Sequence, residues 1–343
     1  MFQIVLLATA FLLSYFGVER FRQWSSRKRI FDIPNERSSH TAPKPRGGGL
    51  VVVCVSLILY SVLTIVYRGG FETGYLISAL LIASVSWLDD LFSIPFMWRL
   101  IVHIFAAFLI ISNIGYINQI YLPFFQQVEI GRFGVLLTFC WIVWLTNAYN
   151  FMDGIDGIAG AQAITAGIGW FIVGKMLGHD EVAIYGGILA FSCAGFLIHN
   201  WQPAKVFMGD VGSAFLGFTF AVMPLLTQKK DNEESQILSL IVILLVWFFV
   251  FDSVYTFFRR LIKREKVWNA HREHIYQKLV KKGFEHRFIT LLYTGLSLSL
   301  LIFIINWIAF GEVYLWIVFV LIGVLSIGLL IFEHRSPELK NSL

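Results

Sequence analysis

Charge is scarce in this sequence. Asp, Glu, Lys and Arg make up 14% of 343 residues, whereas 57% are hydrophobic and the mean hydropathy is +0.71. A soluble domain of this length needs far less apolar surface for one core, so the composition excludes one and directs most of the chain toward lipid. Cysteine is scarce too. Cys54, Cys140 and Cys193 fall singly inside apolar stretches without metal-ligand spacing, which excludes a disulfide framework and a zinc site. Internal repeats and low-complexity linkers are absent, which removes repeat architectures. The first apolar stretch lacks a basic leader and a small-residue cleavage site, so it reads as a membrane span and not as a signal peptide.

What is present is a series of apolar runs of bilayer-crossing length, about 17–25 residues. They predict an all-α polytopic membrane protein, one integral-membrane domain over 1–343, with eleven spans. The expected spans are 2–18, 48–67, 71–88, 98–115, 133–149, 157–177, 181–198, 212–227, 236–258, 288–310 and 312–332. The 115–131 stretch between them reads as a short outside hairpin. With the N-terminus outside, only Arg68, Arg132, Lys175, Lys229 and Lys230 of the 27 basic residues remain outside. Basic residues stay in the cytoplasm, so this asymmetry sets the orientation and places the C-terminus inside. It also accounts for the net charge of +5 without a nucleic-acid partner.

In that topology the unusual polar segments converge on the cytoplasmic face. The first inside loop holds Lys44, Arg46 and the run Gly47 to Gly49, where glycine backbone and positive charge suit an anion such as phosphate. A basic topogenic loop is the plainer reading. The third span ends in Asp89-Asp90, two adjacent acids that call for a cation or a polar vestibule, and Arg99 follows closely enough to return there. The fifth span runs into Asn147, Asn150, Asp153 and Asp156 at spacings of three, a density of amides and acids that packing does not explain. A further inside loop carries Lys205, Phe207, Gly209 and Asp210, an aromatic platform beside a carboxylate, although turns favour such residues as well. The longest basic loop carries His271, Arg272 and His274, or else forms an amphipathic helix on the lipid surface. Hard oxygen ligands beside cations point to Mg2+, with Mn2+ as its alternative, and to phosphates.

Four of these motifs resemble the polyprenyl-phosphate N-acetylhexosamine-1-phosphate transferase superfamily, glycosyltransferase family 4. They are the Asp-Asp pair, Asn-x-x-Asn-Phe-Met-Asp-Gly-Ile-Asp-Gly, Phe-Met-Gly-Asp-x-Gly-Ser and the His/Arg-rich last loop, in matching order along nearly the whole chain. Asp-Ile-Pro-Asn-Glu-Arg-Ser-Ser-His and His-Arg-Glu-His-Ile-Tyr-Gln are similar to the bacterial branch that initiates O-antigen and related surface glycans. The resemblance implies a UDP-N-acetylhexosamine donor, undecaprenyl phosphate as acceptor, and UMP as product, in the bacterial inner membrane. It implies Asp210 as the chief Mg2+ ligand and Asn150 as the next. By the same resemblance, Asp153 and Asp156 line the nucleotide pocket, Phe207 lies against uracil, and Arg272 with His274 holds the sugar-phosphate end. Asp89 and Asp90 face the lipid phosphate. Relatives carry lysine where this chain has Arg99, which keeps the charge and changes the geometry. The muramoyl-pentapeptide branch has a Thr-Pro-Thr-Met-Gly-Gly stretch that this chain lacks. A secondary transporter or lipid flippase is the rival class, but its acids belong near the bilayer midplane and usually in repeated halves. Neither the sugar nor a homodimer is specified by the residues.

Overall fold

A computed structural model describes residues 1–33, 42–122, 126–227, 237–265 and 272–338. Its helices are α1 (Phe2–Lys28), α2 (Gly49–Arg68), α3 (Thr73–Phe92), α4 (Phe96–Asn113), α5 (Phe133–Phe151), α6 (Ile158–Met176) and α7 (Asp180–Asn200). They continue with α8 (Asp210–Leu226), α9 (Ile237–Leu245), α10 (Trp247–Ile262), α11 (Ile275–Lys281), α12 (His286–Phe310) and α13 (Glu312–Arg335). Two small antiparallel pairs complete it: β1 (Phe31–Asp32) with β2 (Lys44–Pro45), and β3 (Gln119–Leu122) with β4 (Gln126–Glu129). The second pair is the hairpin expected between 115 and 131.

The chain is an all-α polytopic membrane protein. Among the described residues nine helices are long and apolar enough to cross a bilayer, and α9 with α10 forms a tenth, bent unit. The eleventh expected span is α8, shorter than the rest. Its residues Val211–Leu226 are all buried, so this helix is hydrophobic on every side and sits at the centre, against α2, α3, α5 and α9.

Two expectations need correction. The first span was placed at 2–18, whereas α1 continues to Lys28, its extra turns carrying charge held by the Arg22–Glu19 ion pair at 2.7 Å. The stretch 236–258 was expected as one span, yet it breaks by 75° between α9 and α10. Breaking a helix in an apolar setting orphans a carbonyl. Here Leu245 O accepts from Gln162 Nε2 at 2.8 Å, and Ser297 Oγ steadies that amide at 2.9 Å. The break is therefore satisfied by side chains from α6 and α12.

Small residues let the central helices approach closely, the usual means of packing without a hydrophobic drive between them. A Cβ on Gly49 would lie 2.5 Å from Gly212 Cα, and one on Gly174 2.8 Å from Ala183 Cβ. Alternation of the helices gathers the starts of α2, α4, α6, α8 and α12 and the ends of α3, α5, α7 and α10 on one face. The β3–β4 hairpin and the Arg68–Glu72 and Arg68–Glu181 ion pairs lie on the other.

Candidate active site

The site grows from the start of α8. A helix beginning within the protein leaves its first N–H groups without partners, and no side chain of its own caps α8. Asp90, from the end of α3, fills that role: its Oδ1 accepts from Asp210 N at 2.9 Å and its Oδ2 from Val211 N at 3.1 Å. Gly209 precedes them at φ +78°, and a Cβ there would stand 2.5 Å from Asp90 Oδ2. Glycine is thus required both by the backbone angle and by the carboxylate's approach. Asp90 was expected to face a lipid phosphate. Its side chain is instead wholly buried and turned inward, because α8 needs a cap.

Asp210 lies at the point where three elements meet. Its Oδ1 accepts from Arg46 Nη2 at 2.6 Å, its Oδ2 accepts from Arg99 Nη1, and Asn150 Nδ2 stands 3.3 Å from Oδ2. Arg46 also reaches Asp90 Oδ1 at 2.7 Å, and Arg99 reaches Asp89 Oδ2 at 2.8 Å. Each arginine therefore bridges two acids. Arg99 Nη1 thus holds the carboxylates of Asp89 and Asp210 side by side, an arrangement that like charges would otherwise resist. Ser213 Oγ donates to Asn150 Oδ1 at 2.7 Å, so the amide is oriented with its nitrogen toward Asp210. That geometry makes Asn150 an aligner of Asp210.

Asp153, half-buried in the turn between α5 and α6, has no side-chain partner among the described residues. Burial pushes its carboxyl well above the ordinary carboxylate range, Asp210 pushes in the same sense, and Arg46 opposes both. Asp89, Asp90 and Asp210 thus share two guanidiniums, leaving a formal surplus of one negative charge. Among the described residues no three His, Cys, Asp or Glu side chains are already grouped as a metal cage. Mg2+ does not demand one, since it is commonly held by one or two carboxylates together with substrate phosphates. The all-oxygen donor set and its charge surplus fit such an ion.

Asp156 is a structural tie. Its Oδ2 accepts from Ala204 N at 3.0 Å and faces Lys44 Nζ at 3.8 Å, while His286 Nδ1 stands 3.6 Å from Oδ1. Thr290 Oγ1 donates to its carbonyl at 3.0 Å. Burial opposes ionisation, but His286, the Ala204 N–H and Lys44 outweigh it and hold the carboxyl below its ordinary value. Lys44 also lies over the Phe207 ring, 5.2 Å from its centroid, which leaves that half-buried aromatic beside the acid cluster. Lys205 is exposed on the same loop. The glycine run read as a phosphate cradle is used for packing instead. Gly48 and Gly49 donate to Phe207 O at 2.9 Å and Met208 O at 2.8 Å, locking the first loop to the 200–209 loop.

An apolar cavity of about 400 Å³ runs between α5 and α10. Phe139, Val143, Trp144, Phe151 and Phe257 line its walls, and Asn147, Arg260 and His274 form its polar end. Cys140 and Phe151, which also line it, are exposed, so it opens on the hydrophobic surface. Asn147 was grouped with Asn150 in the acid site. Its amide nitrogen instead donates to Val143 O at 2.7 Å and stands 3.2 Å from His103 Nδ1. His274 was expected at the sugar-phosphate end but lies in the cavity wall. Arg272 is half-buried beside it in sequence, and His271 lies outside the described residues.

The structure therefore brings Arg46, Asp89, Asp90, Arg99, Asn150, Gly209 and Asp210 into one cluster, with Asp153 on its edge. Lys44, Asp156 and Phe207 form a second group next to it, and Asn147 with His274 a third. Three residues escaped the sequence reading. His103 carries a legible signal, standing one helical turn beyond Arg99 on α4. Asp252 carries another, as a lone acid in an apolar run. His286 carries none, because only the fold brings it to Asp156.

Helices, carboxylates and guanidiniums together define an integral membrane protein with a carboxylate–guanidinium cluster at one end of its bundle, next to an apolar cavity. Residues 73–228 match the sequence profile described as Glycosyl transferase family 4. It is 28% identical over 298 residues to the Bacillus subtilis (strain 168) protein described as "Probable undecaprenyl-phosphate N-acetylglucosaminyl 1-phosphate transferase", covering 86% of this chain and 81% of that one. It is 29% identical over 311 residues to the decaprenyl-phosphate N-acetylglucosaminephosphotransferase of Mycobacterium leprae, covering 83% and 78%. It is 28% identical over 256 residues to the phospho-N-acetylmuramoyl-pentapeptide-transferase of Nitratiruptor sp., covering 64% and 72%.

Proposed function

We propose that this chain transfers an N-acetylhexosamine-1-phosphate from a UDP-sugar to a polyprenyl phosphate, undecaprenyl phosphate in a bacterial inner membrane, and releases UMP. One observation carries the reading: a carboxylate–guanidinium cluster with surplus negative charge adjoins an apolar cavity that opens on the lipid-facing surface. An isoprenoid chain suits the cavity, and its phosphate would meet Asn147, Arg260 and His274 at the polar end. The two relatives named for N-acetylglucosamine-phosphate transfer align over 86% and 83% of the chain, against 64% for the muramoyl-pentapeptide relative. That favours a simple N-acetylhexosamine over the larger donor. A first step in surface-glycan synthesis, O-antigen included, is the role such a product would serve.

In this reading an oxygen of the lipid phosphate attacks the sugar-bearing phosphorus, and the bond from that phosphorus to the UMP oxygen breaks. A phosphate monoester with its second pKa near ~6 is largely ionised at neutral pH, so it needs little help from a base. Charge then dominates the barrier. Asp210 would hold Mg2+ or Mn2+, with Asp89 and Asp153 as the nearest further oxygen donors and Asn150 aligning Asp210. When bound, that ion supplies charge neutralisation for the diphosphate. Arg46 and Arg99 would turn from the carboxylates toward phosphate oxygens, and Phe207 with Lys44 would take the nucleotide side. The test is purified protein with undecaprenyl phosphate, Mg2+ and a panel of UDP-sugars including the muramoyl pentapeptide. UMP release dependent on both lipid and metal is expected. Lipid-independent release, or none with any donor, would overturn the reading.

A further inference from the structure

Asp252, midway along α10, is completely buried, and nothing in the transfer chemistry above uses it. Every group on it is a donor. His274 Nδ1 at 3.0 Å, Ile275 N at 2.9 Å and Thr256 Oγ1 at 3.2 Å meet its Oδ1, and Tyr276 N at 3.2 Å and Tyr293 Oη at 2.7 Å meet its Oδ2. A carboxylate is the one side-chain group that accepts so many bonds without donating. Two consequences follow for its neighbours. The first N–H groups of α11 are capped from outside, as Asp90 caps α8. A ring nitrogen that bonds a carboxylate carries a proton, which assigns an N–H to His274 Nδ1, and that bond sets the direction of the ring.

His274 is itself buried and forms part of the polar end of the apolar cavity, with Asn147 and Arg260. We propose that Asp252 is a positioning residue for the lipid acceptor: it holds the Nδ1–H of His274 and sets the direction of the ring, so that the imidazole, carrying a second proton in the complex, donates Nε2–H to the phosphate of a polyprenyl phosphate seated in the cavity. The proposal rests on the transfer reading given above. Asp252 touches no substrate, so its effect is expected on the acceptor alone and only through His274. A part that merely stabilised α10 and α11 would weaken both substrates together.

The experiment is a double-mutant cycle in the full-length protein, using undecaprenyl phosphate and UDP-N-acetylglucosamine as probes. Lipid binding is read by the thermal shift that undecaprenyl phosphate produces, and turnover by UMP release. Asp252→Asn and His274→Gln should each weaken lipid binding and raise the lipid KM by about 10-fold, with the donor KM unchanged within about 2-fold. The double variant should be no worse than His274→Gln, because residues acting through one another are not additive. Tyr293→Phe, which removes a donor from the same carboxylate without touching His274, should bind lipid as the wild type does. Multiplying effects in the double variant, equal losses for both substrates, a Tyr293→Phe loss matching that of Asp252→Asn, or a wild type that does not bind the lipid would each overturn the proposal. Nitrogen NMR of histidine-labelled wild type, with the His274 signals assigned by His274→Gln, judges the tautomer even if Asp252→Asn fails to fold. A proton on Nδ1 supports it, and an Nδ1 without one overturns it. A wild type that binds the lipid but turns over no donor would refute the transfer reading and leave the binding and tautomer tests to judge Asp252.

Discussion

Asp210 takes bonds from Arg46, Arg99 and Asn150 through a single carboxylate, and it starts the helix around which the others pack. In the proposed reading Asp210 holds the metal, and losing such a contact removes several kcal/mol of transition-state stabilisation, so Asp210→Asn should slow UMP release by about 100-fold or more. The substitution is nearly isosteric, and the detergent-purified variant should elute as the wild type does. Near-wild-type turnover at limiting Mg2+ would move the metal role to Asp89 and Asp153. Asp153 makes a different prediction. Burial raises its folded-state pKa above the usual 3.8, so the protonated form stabilises the fold. That contribution is complete below 3.8 and is lost as pH rises through the raised value. Asp153→Asn should therefore match the wild type in acid and melt at a higher temperature by pH 8, with EDTA present throughout. Asp156, whose depressed pKa acts in the opposite sense, is shared by both proteins and cancels from the comparison. A melting difference that does not change with pH would sink this assignment.

At the scale of elements, the site depends on how closely α2 and α8 approach. Gly49 lies against Gly212, where an added Cβ would stand 2.5 Å from Cα and 2.7 Å from Met208 O. Both obstacles are backbone and cannot swing aside. Gly49→Leu should lower the melting temperature and reduce UMP release by about 10-fold or more, since overpacking of this kind typically costs about 1–3 kcal/mol and shifts Asp210 with its helix. Full activity in a normally folded Gly49→Leu protein would show that α2 does not set the site. The elements themselves were largely legible. Apolar length located eleven stretches; among the described residues nine of them are helices long enough to cross, the bent α9–α10 unit is a tenth, and α8 was found although it is shorter than a crossing helix. The break between α9 and α10 was not legible, because Phe248-Phe249-Val250-Phe251 reads as an unbroken span. The carbonyl the break frees is met by Gln162, 83 residues earlier in the chain, which no local pattern reveals.

At the scale of the molecule, all the carboxylates and guanidiniums of the site lie on one face, the face that basic residues assign to the cytoplasm. A reporter inserted after Arg264 should report the cytoplasm, and one at Gly178 the outside. Finding both on one side would separate the motifs and dissolve the site. The sequence by itself determined the class, the crossings and the set of polar residues, because bilayer length and the cost of buried charge act residue by residue along the chain. Their roles were decided only by tertiary structure. Asp89 and Asp90 are neighbours in sequence, yet one meets Arg99 while the other caps α8. Asn147 and Asn150 are one turn apart, yet one joins the apolar cavity and the other Asp210. A carboxylate's or an amide's task is set by whichever donors and acceptors surround it in space, and those come from helices that no local pattern connects.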